Sequence, residues 1–137
     1  MVIKFPYEVF RKKDGAEDSH PMVDCWHRAQ GSWMPVSAFV DAGSDISVMN
    51  RALAEQLELD LLTGSPVVIE GVSGSEIPAY VHKINLRVGS KEFSCRIAFA
   101  DRDDVPPLIG REDFSKQFVV SYDEIKQVLL LHPRDGN

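Results

Sequence analysis

Apolar residues along this chain recur mainly at every second position, in short runs divided by Gly, Pro, Asp and Ser. Phe93, Cys95, Ile97 and Phe99 share one face at that period, as do Tyr80, His82, Ile84, Leu86 and Val88, and a period of two is the signature of a strand. The two runs flank Val88-Gly89-Ser90-Lys91, which predicts a hairpin. Residues 22–28 and 33–40 read as strands around the turn Gln30-Gly31-Ser32, and residues 67–70, 118–122 and 126–131 as further strands. A first strand over residues 2–10 is interrupted at Pro6, which suits an edge or a bend. Residues 11–20 are charged and carry a glycine, the pattern of a loop or hairpin tip.

Only two places read as helical. Asn50 is a good N-cap for a short helix in which Leu53 and Leu57 fall four apart, and residues 111–117 have room for a single helical turn. Many short strands with one or two small helices predict a mostly β domain, a sandwich or a closed barrel.

Length and composition narrow this picture. At 137 residues and 44% hydrophobic content the chain suits one domain with one core. The 15 Lys+Arg against 21 Asp+Glu give a net charge of -6, the wrong sign for gripping a phosphate backbone, so no nucleic-acid partner is expected. No apolar stretch approaches the roughly 20 residues of a membrane span, and residues 1–15 lack a secretory signal's features, so a cytoplasmic location is expected. Cys25 and Cys95 stand 70 positions apart outside any C-x-x-C pair, and both read as reduced, Cys95 as a small core hydrophobe. Asp24-Cys25-Trp26-His27 offers three potential ligands, but no second cluster has zinc-site spacing. Neither metal nor cofactor is expected.

The chemistry concentrates at Asp41. Ala38-Phe39-Val40 delivers its carboxylate beside the core, where a lone ionised group is costly unless paired, hydrogen-bonded or protonated. An Asx-turn or cap at a strand end is the plain alternative for any single Asp-x-Gly.

Phe39-Val40-Asp41-Ala42-Gly43-Ser44-Asp45, the turn Gly71-Val72-Ser73-Gly74, and Leu108-Ile109-Gly110-Arg111 occur in that order. Together they resemble the retropepsin-like aspartic proteases, a single-lobe family with an active-site aspartate loop, a glycine-bearing flap and an apolar pair followed by Gly. The resemblance spans roughly residues 22–131. It implies a closed β-barrel of the acid-protease fold, one lobe per chain, acting on a peptide or protein substrate as a homodimer with Asp41 supplied by each copy. Two such carboxylates share a proton and titrate as a unit, so one acts as general base on water while the other donates to the peptide carbonyl. Activity on the acidic side of neutral is expected.

The resemblance further implies an active-site loop of Ala42, Gly43 and Ser44, with Gly43 allowing close approach at the dimer axis. It implies an Asp45–Arg111 ion pair near the interface and the substrate backbone, a flap of Gly71, Val72, Ser73 and Gly74, and a pocket wall of Leu108, Ile109 and Gly110. A surface charge, a hairpin tip and a core strand end are the respective alternatives. Residues 1–20 read as an N-terminal strand and charged arm, 21–132 as the protease domain and 133–137 as a tail. Ala42 departs from the family, which has Thr or Ser there. The lost hydroxyl opens an alternative: a weak or inactive domain that dimerises and binds extended peptide by strand addition.

Overall fold

A computed structural model describes residues 1–71 and 74–134. Among the described residues the strands are β1 (Ile3–Pro6), β2 (Glu8–Arg11), β3 (Glu17–His20), β4 (Met22–Arg28), β5 (Met34–Val40) and β6 (Ser47–Met49). After helix α1 (Arg51–Gln56) and a 3-10 turn at Leu61–Thr63 come β7 (Ser65–Glu70), β8 (Glu76–Val88), β9 (Lys91–Ala100), β10 (Leu108–Ile109), β11 (Phe118–Asp123) and β12 (Val128–Pro133).

Six strands close on themselves in the order β4-β5-β10-β6-β9-β8, with β8 hydrogen-bonded back to β4. The expected single-lobe closed barrel is therefore what forms. The alternation read in β8 and β9 sets their register, pairing Ile84 with Cys95 and Leu86 with Phe93, and all four side chains are buried. Gly89 turns the pair at φ +60, a left-handed backbone that side-chain-bearing residues rarely adopt. β8 outruns the barrel: residues 85–87 pair with β4, whereas residues 76–81 pair with β7, so the β7–β8 hairpin projects from the wall. A second sheet of order β1-β12-β11 carries both ends of the described chain.

Three local expectations are corrected. The strand over residues 2–10 is two strands in different sheets, β1 beside β12 and β2 beside β3. Pro6 ends the first, and buried Tyr7 pins the bend by donating its N–H to Gln127 O and its hydroxyl to Glu124 Oε1 at 2.8 Å. Residues 17–20, taken with the preceding loop, form β3. Residues 111–117 form hydrogen-bonded turns in place of a regular helical segment, since Asp113 sits at φ +64 with its carboxylate accepting from Arg96 N. The helix at Asn50 forms as expected: Asn50 Oδ1 accepts from Leu53 N at 2.9 Å, and Leu53 and Leu57 are buried.

Cys25 and Cys95 are free, buried thiols whose ionisation is held off by burial. His27 is fully buried, with Nδ1 donating to Cys25 O at 3.1 Å and Nε2 lacking a partner among the described residues. That tautomer follows from the carbonyl, which can only accept. Burial lowers its pKa from the ordinary 6.5 to about 4, and the Cys25 carbonyl offsets only part of this. Between those values the unfolded chain takes up a proton that the folded chain refuses, so stability falls as pH drops through the window and the loss levels off below about 4. The full loss is about 3 kcal/mol at 1.36 kcal/mol per unit. Denaturant unfolding between about pH 7 and 4 should show His27→Leu losing much less stability than the parent; equal losses would assign the pH dependence elsewhere.

Candidate active site

Asp41 lies one residue beyond β5, and a strand insertion fixes it there. β10 enters between β5 and β6, parallel to the first with Ile109 opposite Val40, and antiparallel to the second with Leu108 opposite Val48. Asp41 N donates to Ile109 O at 2.9 Å, Arg111 N to Ser44 O at 2.9 Å and Glu112 N to Asp45 O at 2.7 Å. The loop from 41 to 45 is thus held along its length by the segment leaving β10. Gly110 sits at the crossing, with its N–H on the buried Ser47 Oγ at 3.0 Å; a Cβ here would lie 2.5 Å from the Ile46 carbonyl carbon and oxygen. No side chain fits against that backbone.

Within the loop, Asp41 Oδ1 accepts from Gly43 N at 3.0 Å, and Ser44 N closes a turn on Asp41 O at 3.1 Å. The Asx-type contact weighed from the sequence is therefore present, and it leaves Oδ2 without a hydrogen-bond partner among the described residues. A Cβ on Gly43 would stand 3.3 Å from Oδ1, tight enough to disturb the carboxylate. Ser44 Oγ donates to Ile46 O, so that hydroxyl supports the loop. Ala42 and Gly43 are exposed and Asp41 is half-buried.

Arg111 Nη2 donates to Asp45 Oδ1, joining the two charges singled out in the sequence; both side chains are largely exposed. Asp41, Ala42, Ile109, Gly110 and Arg111 border one cavity together with Tyr122 from β11. Burial raises the Tyr122 phenol's pKa, and the Asp41 charge adds to the shift. A second cavity is bordered by Asp41 and Leu108 with His20, Pro21, Phe39, Val40 and Pro106. Gly71 and Gly74 border neither; they close the β7–β8 connection, where Gly71 N donates to Ser75 O at 2.8 Å and Gly74 takes φ +78. Val72 and Ser73 lie outside the described residues.

Sequence reasoning missed Ser47, Tyr122 and His20. Ser47 lies in a three-residue strand too short to show a period. The other two reach the Asp41 cavities only through long-range packing.

A family model described as Aspartyl protease matches residues 29–123. The UBA domain-containing protein Mud1 of Schizosaccharomyces pombe is 29% identical over 102 residues, covering 73% of this chain and 30% of that protein. Protein DDI1 homolog 1 of Caenorhabditis elegans is 34% identical over 80 residues, covering 56% of this chain and 21% of that protein. The chain thus spans less than a third of the length of these curated relatives. Among solved structures, a retropepsin-like aspartic protease from Rickettsia conorii superposes with a TM-score of 0.65 at 18% identity, over 96% of this chain and 91% of the other. EIAV protease complexed with the inhibitor HBY-793 gives 0.55 at 19% identity, over 71% of this chain and 86% of the other. At such identities the likeness establishes a shared fold.

Proposed function

Because the chain belongs to the aspartyl protease family, we propose that it is an endopeptidase that hydrolyses peptide bonds with water activated between its Asp41 and the Asp41 of a second copy. The observation that carries this reading is the Asp41 loop itself. Asp41 is half-buried, its backbone N–H held by Ile109 O and its Oδ1 by Gly43 N, and its carboxylate keeps one oxygen uncommitted and opens onto two cavities. One carboxylate has no fixed donor to polarise a carbonyl while it takes a proton from water. Two brought together share a proton, and the pair supplies both roles without a covalent intermediate.

The need for a second copy is supported by the surface around the loop. Among the described residues β11 pairs with β12 alone, and its other edge, beside the Asp41 cavity, is unpaired. Val119 and Tyr122 line that cavity with 45% and 40% of their surface exposed, apolar area that association would cover. The Asp45–Arg111 pair beside the loop is worth little while exposed, about 0–1 kcal/mol, and gains weight if a partner excludes water from it.

Ala42 favours a second reading, a dimerising domain that binds extended peptide without cutting it. No hydroxyl at this position can bond across to a partner loop. Ala42→Thr should restore one, with the dimer's dissociation constant in sedimentation falling about tenfold, on the order of one hydrogen bond. Unchanged association and unchanged turnover would remove the hydroxyl from the account. Cleavage of a mixed peptide library between about pH 4 and 7, blocked by a statine-type transition-state analogue, separates the two readings. Analogue binding without cleavage would favour the second.

A further inference from the structure

Far from Asp41, the outer wall of the barrel carries a cluster of aromatic and cationic side chains. Along β4, Val23, Cys25 and His27 are buried, so Asp24, Trp26 and Arg28 alternate outward. β8 turns Lys83, Asn85 and Arg87 out in the same way, with Arg87 opposite Trp26 and Asn85 opposite Arg28. Trp33, just before β5, completes the group. Asp41 follows the other end of β5, about 20 Å away at the rise of a strand.

The Arg87 guanidinium lies 4.6 Å from the Trp33 ring centre and 5.5 Å from that of Trp26, and the Arg28 guanidinium lies 4.6 Å from Trp33 as well. Stacking on a ring occupies the face of a guanidinium and leaves its N–H edge free. Elsewhere the chain uses such edges: Arg11, Arg51, Arg96, Arg102 and Arg111 each hold a carboxylate. Arg28, Arg87 and Lys83 hold none among the described residues, although the net charge is -6. Glu92 stands directly opposite Arg87 on β9 without pairing with it, and neither Asp24 nor Glu58, which abuts Gly31 in the adjoining turn, pairs with any of the three.

We propose that this patch is a docking surface for an acidic, extended segment of a partner protein, whose carboxylates meet Arg28, Arg87 and Lys83 while its backbone lies on Trp26. Guanidinium forks match carboxylates, and rings that already hold the forks lower the cost of ordering them on binding. Outward residues on a strand recur every second position, about 6.7 Å, which is also the repeat of side chains along one face of an extended peptide. Trp26 is 38% exposed, so its ring is open to an occupant. A chain of this net charge repels a long polyanion such as nucleic acid, whereas a short acidic segment meets only the local cations. Docking here does not require that Asp41 cut the partner.

The chain's two tryptophans both belong to the patch, so intrinsic fluorescence reads it directly. A short peptide with Glu at every second position is titrated beside its Gln counterpart, on the parent and on Arg28→Gln, Arg87→Gln and, as a control elsewhere on the surface, Lys116→Gln. The Glu peptide should change the emission saturably and the Gln peptide should not. Each arginine substitution should weaken binding about fivefold, the scale of one exposed ion pair, and Lys116→Gln should leave it unaltered. A flat titration with the Glu peptide, or equal response to both peptides, would overturn the proposal on the parent alone, whatever the variants' stability. Equal weakening by Lys116→Gln would reduce the binding to diffuse charge attraction and overturn it too, as would a thymidine oligonucleotide that binds more tightly than the Glu peptide.

Discussion

Asp41→Asn should lower peptide hydrolysis at least about a thousandfold at every pH between about 4 and 7, the scale of general acid–base catalysis. Its unfolding transition should stay close to the parent's. The second expectation follows from geometry: Oδ1 accepts from Gly43 N and the backbone N–H donates to Ile109 O, and an asparagine retains both. What it loses is the proton-accepting oxygen. Residual hydrolysis within tenfold of the parent would remove Asp41 from the chemistry. A collapsed unfolding midpoint would mean that the charge holds the loop together.

Gly110→Ala should be the most damaging small substitution in the barrel, lowering unfolding free energy by about 3 kcal/mol, the upper range for overpacking. The added methyl meets the main chain of Ile46 at 2.5 Å, and backbone cannot rotate aside as a side chain would. Relief requires β10 to withdraw from β6, which pulls Gly110 N from Ser47 Oγ and shifts the carbonyl that fixes Asp41 N. Catalysis should therefore fall with stability. Denaturant melts showing a loss under about 1 kcal/mol would mean that the crossing is looser than described.

The β8–β9 hairpin was legible because both strands have one face in the core and one in solvent, so burial writes itself into every second residue. The Asp41 loop and its partner segment were legible as two motifs, and the structure brings Asp45 of one against Arg111 of the other. Local pattern could not show how they meet. β10 has two residues and β6 three, and both exist only because neighbouring strands supply their hydrogen bonds. The bend at Tyr7 was hidden for a similar reason: its partners Glu124 and Gln127 are more than a hundred residues away. His20 looked like the end of a charged loop until packing set it beside Phe39.

His27 adds a constraint on the proposed chemistry. Acidification favours a shared proton between two carboxylates, yet it also erodes stability as His27's depressed pKa is approached. Activity and stability should therefore move in opposite directions over that interval, and association of two copies would offset part of the loss by mass action.

The central claim is that one catalytic centre is built from two chains. Calorimetric titration of a statine-type transition-state analogue, at a protein concentration where sedimentation shows the associated state, tests it most directly. The account predicts one analogue bound per two chains, with binding lost on Asp41→Asn. One analogue per chain, on a protein that sediments as a monomer, would contradict it.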